Sequence, residues 1–269
     1  MSRRNQGNNN SNPSVATTAA TVAIGAAVGY GAYKLFESMF GSNEPHQNQS
    51  NTVAQQQSPP YSFLQKDIFV IDAVEKFRYS FKQLKLHCEE YNVLGFDCEW
   101  VSRWGSRQPV ALLQLSTHRG MCVLIQLSQL RHIPSELKSL LEDVSIVKVG
   151  VAPYTDANFL YKDYGVHVAS TLDLRFMAHA ARHPPGGLEK MSEDYLGLSL
   201  DKSASLQCSD WEAANLSSDQ IEYAAKDVHA AFGLFKYFAD QIAPGRSSND
   251  IISNYCLEYI DKNYGPPMN

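Results

Sequence analysis

The chain holds 269 residues, 44% hydrophobic and 19% charged, and 23 Lys+Arg against 28 Asp+Glu leave a net charge of −5. That balance excludes a protein that clings to polyanions through an overall basic surface, so any such path must be a local strip. Five cysteines without C-x-x-C spacing exclude a disulfide framework and a zinc ribbon, and suit reduced thiols in a cytosol-like compartment.

The N-terminal segment, 1–40, contains an uncharged run from Val15 to Tyr33, rich in Ala, Val, Gly and Thr, with Arg3 and Arg4 before it and Lys34 after it. As a helix this run would span about 30 Å, the thickness of a bilayer core. Gly25 and Gly29 stand at the G-x-x-x-G spacing that lets two helices approach closely. The expectation is a membrane-anchor helix at 15–33, with a cleaved leader or a mitochondrial targeting segment as the alternatives. Residues 41–65 are mostly Gly, Ser, Asn, Gln and Pro and read as a flexible polar linker. One folded domain follows over 66–242, long enough for its own core. The tail, 243–269, carries a short helix over 251–263 with Ile252, Tyr255, Tyr259 and Ile260 packing back or onto a partner subunit. The glycine spacing and this tail are compatible with a homodimer.

Within the domain, strands are expected over 68–71, 93–100, 111–117, 121–125 and 144–149. Helices are expected over 73–90, 135–142, 156–164, 172–181, 188–195 and 217–240. Strands first and then helices, with few crossovers, imply an α/β fold with a mixed sheet flanked by helices. In the strand Val93–Trp100 the side chains alternate. Leu94, Phe96, Cys98 and Trp100 make one apolar face, and Asp97 and Glu99 stand side by side on the other. Two carboxylates 4 Å apart repel by about 1 kcal/mol in water and about 4 at a surface-like dielectric. A fold holding both together needs a cation, a proton or open water there; alone, such a pair is more often a solvated face. Asp156 follows the turn Gly150–Thr155 and falls at a helix start, where the dipole alone favours an acid.

The helix from Ser217 opens with a capping-box pattern, Ser217 and Gln220. At 100° per residue, Ile221, Ala225, Val228, Phe232 and Phe235 form a packing stripe. Glu222, Lys226, His229, Gly233, Lys236 and Asp240 form a wet stripe, which makes His229 a surface histidine. Tyr223 and Asp227 instead share a flank with Ala224, Ala231, Leu234 and Phe238. A carboxylate in that apolar arc needs a partner, whether an arginine, a neighbouring loop or a metal.

Together, Phe96-Asp97-Cys98-Glu99-Trp100, Gly150 through Asp156, and Tyr223-Ala224-Ala225-Lys226-Asp227 resemble, in order and spacing, the three motifs of DEDD-type 3'-5' exonucleases, in the ribonuclease D and Werner-type branch. Leu112–Leu115, Thr171–Arg175, Leu200–Ser203 and Cys208–Trp211 also match, and the resemblance covers about residues 66 to 242. Tyr223 four residues before Asp227 marks the tyrosine subtype; a histidine subtype would carry His where Glu222 stands. The resemblance implies a ribonuclease H-like fold and two divalent cations, Mg2+ or Mn2+, which suit hard carboxylate ligands. It further implies that Asp97, Glu99 and Asp227 hold the cation nearer the attacking water, that Asp97 is shared with the second cation, that Asp156 helps through waters, and that Tyr223 orients the water. Catalytic residues are then Asp97, Glu99, Asp156, Tyr223 and Asp227, and metal ligands are the four acids. The expected activity is hydrolysis of single-stranded RNA or DNA from the 3' end to nucleoside 5'-monophosphates. A non-catalytic nucleic-acid-binding or tethering module with a nuclease fold is the alternative. The weakly hydrophobic anchor with flanking basic residues, together with the resemblance, implies the outer mitochondrial membrane with the enzyme facing the cytosol, the matrix being the alternative. Arg103, Arg107, Lys148, Arg175, Arg182 and Lys202 are candidates for a basic strip. Trp104 could stack on a base, although packing is the more ordinary expectation.

Overall fold

The computed structural model describes residues 67–256 and residue 260. The expected anchor at 15–33, the linker at 41–65 and the tail residues 257–259 and 261–269 lie outside the described residues. Six strands, β1 (Asp67–Ile71), β2 (Val93–Arg103), β3 (Ser106–Ser116), β4 (Met121–Gln126), β5 (Val147–Gly150) and β6 (Thr171–Asp173), form one sheet in the order β1-β4-β3-β2-β5-β6. β1 runs parallel to β4, β4 antiparallel to β3, and β2, β5 and β6 are mutually parallel. The sheet is therefore mixed, as expected.

Helices cover both faces. In chain order they are α1 (Val74–Glu90), α2 (Leu127–Leu130), α3 (Ser135–Glu142), α4 (Pro153–Tyr164), α5 (Leu174–Ala180), α6 (Leu188–Met191, continuing as a π-helical turn over Ser192–Leu196), α7 (Ala204–Gln207), α8 (Ser218–Ile242) and α9 (Ser248–Ile251). The alternation along β2 decides which face meets which helix. Leu94, Phe96 and Cys98 join Phe77 and Leu84 of α1, Leu137 of α3 and Leu160 of α4 in one buried cluster. The opposite face lies under α8. Leu112 and Leu124 pack there against Ala224 and Val228, and Val93 and Val149 against Phe232 and Phe235. The acids of β2 consequently point toward α8.

A glycine sets how closely β2 and α8 meet. A Cβ on Gly95 would lie 2.3 Å from the Val228 carbonyl oxygen and 2.3 Å from Ser116 Oγ. That hydroxyl donates to the same carbonyl at 2.7 Å, so α8 rests on the sheet through main chain. Gly95→Ala is expected to lower stability by about 2 kcal/mol through overpacking. The measurement is the denaturant midpoint, with an unchanged slope; an unaltered midpoint refutes the contact.

Several elements depart from expectation. β2 and β3 run three and five residues further toward each other, closing a hairpin through Trp104 and Gly105 at φ 51° and 78°. Both turn residues having positive φ suits the twist of flanking strands, but Trp-Gly carries no Asn-Gly signal. Trp104, expected to pack, is 97% exposed. The helix expected over 172–181 is preceded by β6, a three-residue strand parallel to β5. α4 starts at Pro153, three residues early, because proline suits the first helical position. His229 is buried, not a surface histidine: the β3–β4 turn covers that part of the stripe, and His229 Nε2 lies 3.1 Å from the Gly120 carbonyl. Gly233, assigned to the same wet stripe, is buried too. The short tail helix forms as α9 and a π-helical turn over Ile252–Cys256, and Ile252 and Ile260 pack back on the core. All five cysteines are free, and only Cys208 is exposed.

Candidate active site

Three elements deliver the expected acids. β2 presents Asp97 and Glu99 on the α8 side, and α8 presents Asp227 one residue before the Gly95 contact. One ligand oxygen from each of Asp97, Glu99 and Asp227 lies within 4.8 Å of the other two. Asp97 is oriented by the Cys98 amide, which donates to Oδ1 at 2.9 Å. α8 is held at its start by the capping box: Ser217 Oγ accepts from Gln220 N at 3.2 Å and Gln220 Oε1 accepts from Ser217 N at 3.0 Å. Gln220 Nε2 also donates to Ser209 Oγ and the Asp210 carbonyl. This ties the loop before α8 to its first turn. Trp211 is fully buried beneath that loop, 5.8 Å from the Tyr223 ring.

Asp156 is buried in the first turn of α4 and lies outside the trio of acids. Burial and then the Asp97 charge raise its pKa above the ordinary carboxylate range. Tyr223, one turn before Asp227, is buried, and its hydroxyl accepts from Lys202 Nζ at 3.3 Å.

The charges are poorly compensated. Burial, and then the nearby Asp227, raise Asp97 from an ordinary carboxylate value to about 7. Glu99 is raised well above its usual range by burial and then by Asp97. Asp227 is raised by burial, against the pull of Lys202. Tyr223 is raised by burial and then by Asp227, so its hydroxyl keeps its proton at neutral pH. Among the described residues, the ammonium of Lys202 pairs directly with one of these acids. Nζ lies 2.5 Å from Asp227 Oδ2, 3.3 Å from the Tyr223 hydroxyl and 4.8 Å from the centre of its ring. Sequence reasoning named Lys202 among scattered cations and within the matching run Leu200–Ser203, but gave it no role, because its contact with Asp227 is made across 25 residues.

The other candidate cations do not assemble into a strip. Lys148 is fully buried and donates to the carbonyls of Asp143 and Ile146 at 2.9 and 2.8 Å, a structural role. Arg103 pairs with Glu212 at 2.8 Å, fastening the end of β2 to the loop before α8. Arg107 pairs through both terminal nitrogens with Asp163 at 2.7 Å and stacks over Phe159. Arg175 is held by Asp173, and Arg182 is exposed.

A donor set of carboxylates alone, deprotonated with difficulty and close together, fits a hard divalent cation.

A family model described as 3'-5' exonuclease matches residues 71–243. Exonuclease 3'-5' domain-containing protein 2 of Drosophila melanogaster is 49% identical over 182 residues, 67% of this chain and 31% of that protein. The Homo sapiens protein of the same name is 33% identical over 229 residues, 80% of this chain and 37% of that one. The chain thus spans about a third of the length of these curated relatives. The crystal structure of the catalytic core of RRP6 from Trypanosoma brucei shares the fold, with a TM-score of 0.59 at 18% identity over 77% of this chain and 54% of that one. By the extent of that family match, and with its mixed sheet and helices in place, the chain belongs to the 3'-5' exonuclease family.

Proposed function

We propose that this chain is a 3'-5' exonuclease of the tyrosine subtype, hydrolysing single-stranded RNA or DNA to nucleoside 5'-monophosphates with the help of Mg2+ or Mn2+. The observation carrying this reading is the convergence of Asp97, Glu99 and Asp227, from elements far apart in sequence, within 4.8 Å of one another. Asp97, Glu99 and Asp227 would hold a divalent cation, and Asp156 would assist a second one. Bound divalent ions supply charge stabilisation for the attacking and leaving oxygens and lower the pKa of water. The chain's own residues supply the rest. Tyr223, whose proton stays in place, donates a hydrogen bond that orients the attacking water and is not its general base. Lys202 stands beside Tyr223, poised to pair with phosphate oxygens as charge develops.

We extend the proposal to location. The uncharged run 15–33 with basic flanks tethers the enzyme to a membrane, the outer mitochondrial membrane being favoured, and the polar linker 41–65 lets the domain range over nearby substrate.

The test is digestion of 5'-labelled single-stranded RNA and DNA by the full chain with Mg2+ or Mn2+. A ladder shortening one nucleotide at a time from the 3' end is expected, absent with chelator and in Asp227→Asn. An internal cut pattern, or a ladder that survives chelation and the Asn variant alike, would refute the assignment.

A further inference from the structure

Asp156 is delivered by a turn whose left-handed residue has no side-chain cap of its own. β5 ends at Gly150, where a Cβ would lie 2.7 Å from the Phe96 carbonyl. The chain here runs against the residue before Asp97. Two residues later Ala152 adopts φ 55° and ψ 42°, a left-handed conformation that residues with a Cβ take up rarely and keep only when their surroundings impose it. Ala152 is also the N-cap of α4, and it has no side-chain oxygen to offer the first helical amides. Pro153, next, has no N–H to anchor.

What grips the turn comes from the neighbouring strand. Asp173 ends β6 directly across from Gly150 in the parallel register. Its Oδ2 accepts from the Ala152 amide at 3.1 Å. The carboxylate is buried and is itself fixed by Arg175, whose Nε lies 3.0 Å from both oxygens, whose Nη2 lies 2.5 Å from Oδ2, and whose amide donates to Oδ1 at 3.0 Å. The turn closes with Thr155 N donating to the Ala152 carbonyl at 2.9 Å. Asp156 is the next residue.

We propose that Asp173 is a positioning residue for Asp156. It holds the left-handed Ala152 through its amide and is held in turn by Arg175. It thereby fixes the first turn of α4, and with it the backbone position from which Asp156 serves the site. This rests on the metal-dependent reading above, and it adds a residue that touches neither substrate nor cation. Outer partners that orient ligands typically influence metal affinity by about 10–100-fold.

The test counts Mn2+ bound to the full chain by electron paramagnetic resonance of the free ion, with thermal melts alongside. Asp173→Ala is expected to weaken the more loosely held Mn2+ about tenfold while leaving the tighter one little changed. Adding Ala152→Gly to that variant is expected to recover most of the loss, because glycine adopts the left-handed turn without a grip. Asp173→Asn retains an oxygen for the Ala152 amide but not the ion pair, and should show a smaller loss that Ala152→Gly again repairs. This pair carries the test should Asp173→Ala not fold. Unchanged Mn2+ affinity in the Asp173 variants, or a loss that Ala152→Gly does not repair, overturns the proposal. The Mn2+ readout is independent of turnover. A wild-type chain that binds two ions, one of them weakened in the Asp173 variants, yet digests nothing would sink the exonuclease reading and leave the clamp standing.

Discussion

Asp97→Asn is expected to make the metal-free protein more stable at pH 8 and nearly inactive. The two effects share one cause. Burial and Asp227 raise Asp97 to about 7 in the folded chain, against about 3.9 in an unfolded one. A raised carboxylate binds more protons folded than unfolded between those values. Its contribution to stability is therefore whole below about pH 4 and is lost as pH rises through about 7. Above that, the fold carries a repulsive charge on the order of 2 kcal/mol or more, which asparagine lacks. For a domain of this size the melting temperature of metal-free Asp97→Asn should rise by about 5 °C at pH 8, and the gain should vanish near pH 4. Turnover should fall about a thousandfold, the equivalent of some 4 kcal/mol of transition-state charge stabilisation. Thermal melts at both pH values with chelator, and rates with Mn2+, check the pair. A lower melting temperature at pH 8, or activity within tenfold of wild type, would contradict the view that this pocket keeps its repulsion for the sake of a cation.

Lys202→Met separates binding from turnover. The ammonium rests on Asp227, whose carboxylate is 2% exposed, and beside the Tyr223 hydroxyl. Removing one member of a buried ion pair leaves an uncompensated charge and typically costs about 3–5 kcal/mol. Metal-free Lys202→Met should accordingly melt well below wild type, and saturating Mn2+ should restore most of the difference. Because the ammonium and a cation both seek the Asp227 oxygen, the variant should bind Mn2+ no more weakly than wild type. Turnover should still drop roughly 10- to 100-fold, as for loss of a charged hydrogen bond worth about 1.5–3 kcal/mol. Calorimetric Mn2+ titration and single-turnover digestion together decide it. Parallel losses in both would make Lys202 a structural strut, and unaltered turnover would remove it from the chemistry.

The acid-bearing segments were legible because each carries a local pattern. β2 alternates, so the sequence alone shows Asp97 and Glu99 sharing a face opposite Phe96 and Cys98. α8 announces its start through Ser217 and Gln220, and the 100° step then places Asp227 with Tyr223 among alanines. The parts that escaped depend on what lies across from a residue. His229 sits at a wet position on the helical wheel, but the turn at Gly120 closes over it. Lys148 reads as an ordinary surface cation until two carbonyls from its own strand approach are seen to enclose its ammonium. β6 is too short for alternation to register and exists because β5 offers it an edge. Asp173 was read at the start of a helix, and its bond to Ala152 is made across 21 residues. Lys202 reaches Asp227 across 25.

The Gly95 contact has one more implication. Where the sheet and the long helix supply their acids, the absence of a side chain at Gly95 lets the Val228 carbonyl and the Ser116 hydroxyl close the gap. The aperture between Asp97 and Asp227 thus depends on a glycine two residues before the first acid, and any side chain added there would prise the two apart.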